Sequence, residues 1–277
     1  MVSQTRTLVR HIGGIVRRIY TGLLALVVSA SAVGLLAANP QDYIDSGRKF
    51  ENEMRWGEAM AEYHRILTEI DPNHVEAHYR LGVVREKVGA IEDAIQSYTT
   101  VLQLNPSHPG ARSFLEGYYV NEGIAFRREQ KFDKAKAAFQ QALSINGSSA
   151  AAHFELGQEL ARQGQLDQAI QEYQESIRLD PDKSTAHTHL AAAYTEKGQY
   201  QQAIQAYQEV IKQHPRDPAA HDGLGVAYSK TGQPEKAIET LGQAVRFYLV
   251  RGEREQARPA YELQKKLLAE KNSGQKQ

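Results

Sequence analysis

The strongest structural signal in the chain lies in one 34-residue segment: residues 150–183 read AAAHFELGQELARQGQLDQAIQEYQESIRLDPDK. Apolar residues recur at helical spacings on both sides of Gly164, which is typical of two amphipathic helices joined by a tight turn. Pro181 follows the second run and predicts its end, because proline lacks an amide proton and clashes with the preceding turn. The segment therefore predicts one antiparallel helical hairpin.

The same pattern returns along most of the chain. Small residues mark the first helix of each copy: Gly47, Gly82, Gly123, Gly157, Ala191 and Gly225. A second small residue marks the second helix: Ala59, Ala94, Ala135, Ala169, Ala203 and Ala237. A bulky residue follows four positions later: Tyr63, Tyr98, Phe139, Tyr173, Tyr207 and Leu241. Both small-residue series have spacings of 35, 41, 34, 34 and 34, so we expect close hairpins that stack to share one core.

These recurring residues resemble the tetratricopeptide-repeat (TPR) family, whose 34-residue unit carries two small residues, a large one and often a proline at these offsets. The resemblance covers about residues 40–251. It implies an all-α fold, a right-handed α-α superhelix (TPR solenoid) of about six helical hairpins plus a C-terminal capping helix. The fourth position of the unit, often Trp in the family, departs from the pattern: Tyr43, His78, Tyr119, His153, His187 and His221. Because TPR proteins bind many different partners, the resemblance implies little about which partner is bound.

The repeat register predicts the domain boundaries. Residues 1–18 form a basic segment, 19–38 an apolar segment, 252–271 the capping helix and 272–277 a disordered tail without apolar residues. The six units lie near residues 40–74, 75–108, 109–149, 150–183, 184–217 and 218–251. Seven extra residues stand near 109–115. Because seven residues make two helical turns, we expect the first helix of the third unit to start early and to be about 10 Å longer.

The N-terminal apolar segment has two interpretations. Four arginines precede it: Arg6, Arg10, Arg17 and Arg18. Residues 19–38 contain no charge and would span about 30 Å as a helix, the thickness of a bilayer's hydrocarbon core. One interpretation is a single-pass anchor, with the repeat domain on the non-cytoplasmic side, in a periplasm or lumen. The other is a signal peptide cleaved after the small residues Ala30 and Ala32, which leaves a soluble exported protein.

Composition argues against several functions. Residues 39–277 carry 29 basic and 33 acidic residues, and this mild acidity argues against a nucleic-acid partner. The chain has no cysteine, and it contains no phosphate-binding loop and no hydrolase or metalloprotease motif. One histidine per repeat cannot form a metal site, because packed helices lie about 8–10 Å apart. We predict a protein without catalytic residues, metal or cofactor, which is not an enzyme.

The resemblance also predicts a binding surface. In peptide-binding TPR proteins the first helices line a concave groove, and matching positions here are Tyr79, Val83, Lys87, Val120, Ile124, Arg127, Arg128, Phe154, Gln158 and Arg162. This groove is apolar and aromatic with arginines at one edge, as in binding hot spots, and it suits an extended peptide with an acidic or C-terminal carboxylate group. The alternative is that these residues pack against neighbouring helices. The favoured hypothesis is a membrane-tethered adaptor or assembly factor that holds a protein or peptide partner. Self-association through the terminal helices is a further alternative.

Overall fold

The computed structural model describes residues 39–182 and 184–274, and all regular structure in them is helical. The helices are α1 (Pro40–Asn52), α2 (Trp56–Arg65) with a π-helical turn (Ile66–Ile70), α3 (Val75–Lys87), α4 (Ile91–Leu104), α5 (Pro109–Arg128), α6 (Phe132–Ile145), α7 (Ala150–Arg162), α8 (Leu166–Leu179), α9 (Ser184–Glu196), α10 (Tyr200–Gln213), α11 (Pro218–Lys230), α12 (Pro234–Val250) and α13 (Arg254–Gly274). The predicted all-α repeat fold is confirmed. The apolar segment at 19–38 lies outside the described residues. Within the described ranges, every helix is too short or too polar to cross a membrane.

The chain forms two compact units, and the boundary between them falls within α5, after Phe114. In the first unit, α1 packs on α2, α2 on α3 and α3 on α4. In the second unit, each helix from α6 to α13 packs on the next one in the sequence. Hairpins therefore stack in sequence order within each unit, as expected of a helical repeat.

Close contact between small and bulky residues fixes each hairpin. A Cβ atom added to Gly157 would lie 2.7 Å from the ring of Tyr173, and one added to Gly82 would lie 2.7 Å from the ring of Tyr98. These distances are too short for any side chain larger than hydrogen. Tyr173 is only 1% exposed and Tyr98 only 2%. The predicted pairing of a small residue on the first helix with a bulky one on the second is confirmed.

The seven-residue insertion lengthens one helix. Helix α5 has 20 residues, whereas α1, α3 and α7 have 13 each. It begins at Pro109, which confirms the predicted early start. In the first unit its opening turn packs closely, because Ala111 is fully buried and a Cβ added to Gly110 would lie 2.7 Å from a ring carbon of Tyr79.

A single extra residue causes a different change. The spacing of 35 between Gly47 and Gly82 exceeds the regular repeat by one residue. Tyr63 stands nine residues before its proline, whereas Tyr98, Tyr173 and Tyr207 stand eight residues before theirs. The extra residue falls where α2 widens into the π-helical turn, and there the Asp71 amide donates to the carbonyl of Ile66, five residues earlier. Sequence analysis did not predict this turn.

The recurring histidines have one structural role. Each imidazole Nε2 lies within hydrogen-bond distance of a carbonyl oxygen six residues earlier: His78 to Pro72 at 2.9 Å, His153 to Gly147 at 3.2 Å, His187 to Pro181 at 3.1 Å and His221 to Pro215 at 3.0 Å. Because a carbonyl only accepts, Nε2 carries the proton in each case. Histidine therefore ties the loop between two hairpins to the first turn of the next helix.

The C-terminal helix is longer than predicted. It was expected to end at residue 271, but α13 runs to Gly274. Lys271 lies 3.3 Å from Glu235 of α12, and the Ser273 hydroxyl donates to the carbonyl of Glu270. These contacts continue the helix through residues that composition alone assigned to a disordered tail.

Candidate functional site

An open pocket of about 350 Å³ lies in the second unit, between the first helices of two successive hairpins. Its lining residues come from α7, α8 and α9: Gln158, Ala161, Arg162, Tyr173, His189, Ala192, Ala193 and Glu196. Gln158 and Arg162 belong to the predicted groove. The space is open because α9 presents two alanines, Ala192 and Ala193, on the face that lies towards α7.

Aromatic rings form the inner wall of this pocket. The His189 ring lies 5.2 Å from the Phe154 ring in an edge-on arrangement and 5.7 Å from the Tyr173 ring. Desolvation lowers the pKa of His189, so its neutral form is favoured. Burial, with Glu155 and Glu159 nearby, raises the pKa of Tyr173 above its usual value, so its hydroxyl stays protonated. The wall is therefore uncharged at neutral pH.

A cluster of charged residues, Arg127, Glu155 and Glu159, lies next to the pocket residue Gln158. Arg127 Nη2 lies 2.7 Å from Glu155, and Nη1 lies 3.4 Å from Glu159 and donates to Gln158 Oε1 at 2.7 Å. Glu159 is fully buried, so its charge requires a partner inside the protein. Arg127 meets that requirement and retains only 19% of its side-chain exposure. Its guanidinium is thus already neutralised and is a poor contact for an incoming carboxylate.

Arg162 is the arginine that remains exposed at the pocket. Its side chain is 53% exposed, and its guanidinium carbon lies 5.1 Å from the ring centroid of Phe132, a cation–π arrangement. Its Nε lies 3.9 Å from Oε2 of Glu159, which is too long for a hydrogen bond. The Phe132 ring contacts the guanidinium of Arg162, and about half of the side chain remains exposed to solvent.

Other predicted groove residues of the second unit have different environments. Phe154 is only 8% exposed and belongs to the core, so its truncation would weaken the fold as well as any groove. Val120 and Ile124 are partly buried and pack against the same core cluster. Arg128 is exposed near the end of α5. Much of the surface of Phe154, Val120 and Ile124 therefore packs against neighbouring helices, as the alternative interpretation of the groove residues predicts.

Predicted residues of the first unit are likewise packed to different extents. The ring of Tyr79 lies 4.5 Å from the His108 ring and 5.7 Å from the Tyr98 ring. Val83 is partly buried, and Lys87 is exposed as the last residue of α3. Tyr79 therefore contributes mainly to packing around the start of α5.

Sequence reasoning missed His189 and Tyr173 as pocket residues. The repeat pattern assigns Tyr173 to the core of its hairpin and does not single out His189. A signal existed, since His189, Ala192, Ala193 and Glu196 are spaced so that they share one helix face. Within the described ranges, no group of three histidine or carboxylate side chains could hold a metal ion.

The stacked hairpins with their small-and-bulky contacts define a helical-repeat protein. Family models described as tetratricopeptide repeat match residues 75–108, 120–184, 160–222 and 194–248. The chain belongs to the tetratricopeptide-repeat family.

The chain is similar to individual known proteins at low sequence identity or over part of its length. Tetratricopeptide repeat protein 14 of Mus musculus is 31% identical over 105 residues, which is 38% of this chain and 13% of that protein. The crystal structure of YrrB, described as a TPR protein with an unusual peptide-binding site, superposes with a TM-score of 0.51 at 20% identity, covering 71% of this chain and 97% of YrrB. A crystal structure of MamA covers 78% of this chain and 95% of its own at 22% identity, with a TM-score of 0.36.

Proposed function

We propose that this protein is a scaffold that binds an extended segment of a partner protein along the first helices of its hairpins. The observation that carries the proposal is the open pocket between α7 and α9, where an exposed arginine stands beside an uncharged aromatic wall. Aromatic residues and arginine are enriched at the centres of protein interfaces. Membership in the tetratricopeptide-repeat family and the similarity to YrrB, a TPR protein with an unusual peptide-binding site, support the proposal.

The pocket favours a peptide with an acidic group next to a small apolar side chain. A carboxylate approaching Arg162 would accept charge-assisted hydrogen bonds from its free N–H groups. The neighbouring apolar side chain would pack on Ala192 and Ala193. Glu196 at the pocket edge disfavours a second negative charge there, so a single acidic residue fits better than an acidic run.

A bulky side chain in the pocket tests this proposal. Ala192 is exposed and lines the pocket, so Ala192→Phe fills the space without disturbing the core. Ala137 on α6 is exposed outside the pocket, and Ala137→Phe is the matched control. Proteins cross-linked to each purified form from native cells are quantified by mass spectrometry. We expect a set of partners to be retained by the wild type and by Ala137→Phe, and reduced at least about tenfold by Ala192→Phe. Equal retention by all three forms would contradict the assignment of the pocket.

We further propose that residues 19–38 tether this scaffold to a membrane as a single-pass anchor, with the repeats on the non-cytoplasmic side. The support is the uncharged 20-residue length and the flanking arginines. The N-terminus of the mature chain decides between the two interpretations. We expect the mature chain to retain Met1 and to be released from the membrane fraction only by detergent. A mature chain that starts near Val33 and is released without detergent would identify an exported soluble protein instead.

A further inference from the structure

The first unit contains a second pocket, of about 200 Å³, on the side of the second helices. It lies where α2, α3 and α4 meet, next to the π-helical turn, and its lining residues are His64, Leu67, His78, Leu81, Arg85, Gln96, Ser97 and Thr100. Three of these eight can carry positive charge, and none of these described lining residues is acidic. Irregular π turns inside helices are frequent at functional sites. The equivalent positions of other hairpins show what is unusual about this pocket.

Later hairpins place a neutral pair at this position. Two repeat positions form this pair. One is the residue directly after the bulky residue of a hairpin, such as Gln174 after Tyr173. The other lies three residues after the first small residue of the next hairpin, such as Tyr194 after Ala191. In the second unit, Gln174 donates to the Tyr194 hydroxyl at 2.8 Å, and Gln208 donates to the Tyr228 hydroxyl at 3.1 Å. A neutral hydrogen bond therefore closes the furrow between successive hairpins there.

The first unit replaces this neutral pair by two basic residues. His64 follows Tyr63 as Gln174 follows Tyr173, and Arg85 stands three residues after Gly82. At the position of Arg85 the other five hairpins have apolar or aromatic residues: Phe50, Phe126, Leu160, Tyr194 and Tyr228. Partial desolvation, followed by Arg85 and His78, lowers the pKa of His64. Two basic side chains thus face each other where a hydrogen bond stands in later hairpins, and the neutral form of His64 is favoured.

Hydrogen bonds hold Arg85 in place and use only part of its guanidinium N–H donors. Its Nη1 donates to the Ser97 hydroxyl at 2.6 Å and to the Asp93 carbonyl at 3.4 Å, and Ser97 in turn donates to the same carbonyl at 2.9 Å. Ser97 is only 3% exposed, so this anchor is fixed within the fold. Among the described residues, Arg85 donates hydrogen bonds only through Nη1, which leaves the donors of Nε and Nη2 for another acceptor.

We propose that this pocket binds a phosphate group, held by Arg85 and the imidazole of His64, beside His78, whose Nε2 donates to the Pro72 carbonyl. A phosphate carries close to two negative charges at neutral pH and offers several strong acceptor oxygens, which matches basic groups converging from two helices. A bound anion favours the protonated form of His64, which then donates a charge-assisted hydrogen bond to it. The group comes either from free phosphate or from a phosphorylated side chain of a partner. This inference does not rest on the groove proposed above, because the two sites lie in different units.

Nuclear magnetic resonance of the imidazole groups tests the site directly. The chain from residue 39 onward, or the detergent-solubilised full chain, is titrated with inorganic phosphate at constant ionic strength. A parallel titration uses a short phosphoserine peptide, with its unphosphorylated form as reference. We expect saturable shifts of the His64 and His78 resonances and a higher pKa of His64 in the bound state. His153 and His187, which lie outside the pocket, should not shift.

Four variants separate binding from general charge and folding effects. Arg85→Tyr and His64→Gln, alone and combined, rebuild the neutral pair of later hairpins and should retain the helical circular dichroism spectrum. We expect phosphate affinity to fall at least about tenfold in Arg85→Tyr, as for loss of a charge-assisted hydrogen bond. Lys49→Gln removes an exposed positive charge of the same unit outside the pocket and should leave affinity unchanged.

Each outcome decides the proposal. Tighter binding of the phosphopeptide than of phosphate assigns the group to a partner protein, and equal affinity assigns it to free phosphate. Absence of a saturable His64 shift in the wild type would overturn the proposal. So would shifts of equal size in folded Arg85→Tyr, or a matched loss of affinity in Lys49→Gln.

Discussion

Two insertions interrupt the repeat in the first unit, and the fold absorbs them differently. Near Pro109, seven extra residues extend α5 as regular α-helix, which makes it 20 residues long. Between Ile66 and Ile70, one extra residue widens the end of α2 into a π-helical turn. Both solutions keep Gly82 against Tyr98 in the hairpin that lies between them in the sequence.

Helical periodicity explains the difference. Each residue turns an α-helix by about 100°, so seven residues rotate the chain by nearly two full turns and almost preserve the buried face. One residue would rotate every later side chain by about 100° and expose the core face. A π turn places five residues where a tighter turn would place four, so the extra residue stays local. A helical repeat therefore accommodates an insertion of whole turns by lengthening the helix, and an insertion of a single residue by widening one turn of it.

Deleting one residue from the longer insertion should break this rule and give the largest effect. Ser113 is exposed, but its deletion rotates residues 109–112 by about 100° relative to Phe114. Ala111 would leave the core, and Gly110 would leave Tyr79. We expect the free energy of unfolding to fall by about 2–4 kcal/mol in urea denaturation. Ser113→Ala is the control and should change it by less than about 0.5 kcal/mol. A deletion variant as stable as this control would mean that α5 does not depend on its register.

Deleting Thr68 should have a smaller effect, because it restores the regular repeat length. The shortened segment is expected to form an ordinary α-helical turn, with a hydrogen bond to the fourth preceding carbonyl. The Thr68 hydroxyl donates to the His64 carbonyl at 2.9 Å, so Thr68→Ala serves to measure the loss of this bond alone. We expect the free energy of unfolding to change by less than about 1 kcal/mol, with the new turn visible in a crystal structure. A loss as large as that of the Ser113 deletion would show that the π turn is required by the packing around it.

The smallest effect concerns the pH dependence next to the π turn. The folded state lowers the pKa of His64 below its ordinary value of about 6.5, through desolvation, Arg85 and His78. Protonation therefore favours the unfolded chain, and stability is lost as pH falls through this range and is fully present above about pH 6.5. We expect the stability of the wild type relative to His64→Gln to decrease from pH 7 to pH 5, in phosphate-free buffer. The same difference measured in Arg85→Tyr should be flatter. A pH-independent difference in the wild-type background would contradict the unfavourable charge environment of His64.

The sequence by itself determined the repeat. Small and bulky residues recur in one register, and their spacing depends on helical geometry alone, so the hairpins, their order and the long α5 could be predicted. The seven-residue insertion was interpretable for the same reason, since it equals whole turns. Histidines in phase with the repeat could be excluded as a metal cluster because their separation follows from the repeat length.

Only the tertiary structure decided which surface residues remain available to a ligand. Exposure and charge pairing depend on neighbours from other hairpins, so sequence could not tell that Arg127 is neutralised by Glu155 and Glu159 while Arg162 stays exposed. It could not place His189 on the aromatic wall either. The basic pocket depends on a contact between hairpins, because His64 and Arg85, the counterparts of the hydrogen-bonded Gln174 and Tyr194, are 21 residues apart in the chain. Local periodicity fixes which residues form a hairpin, whereas packing between hairpins fixes which of their charged side chains remain exposed.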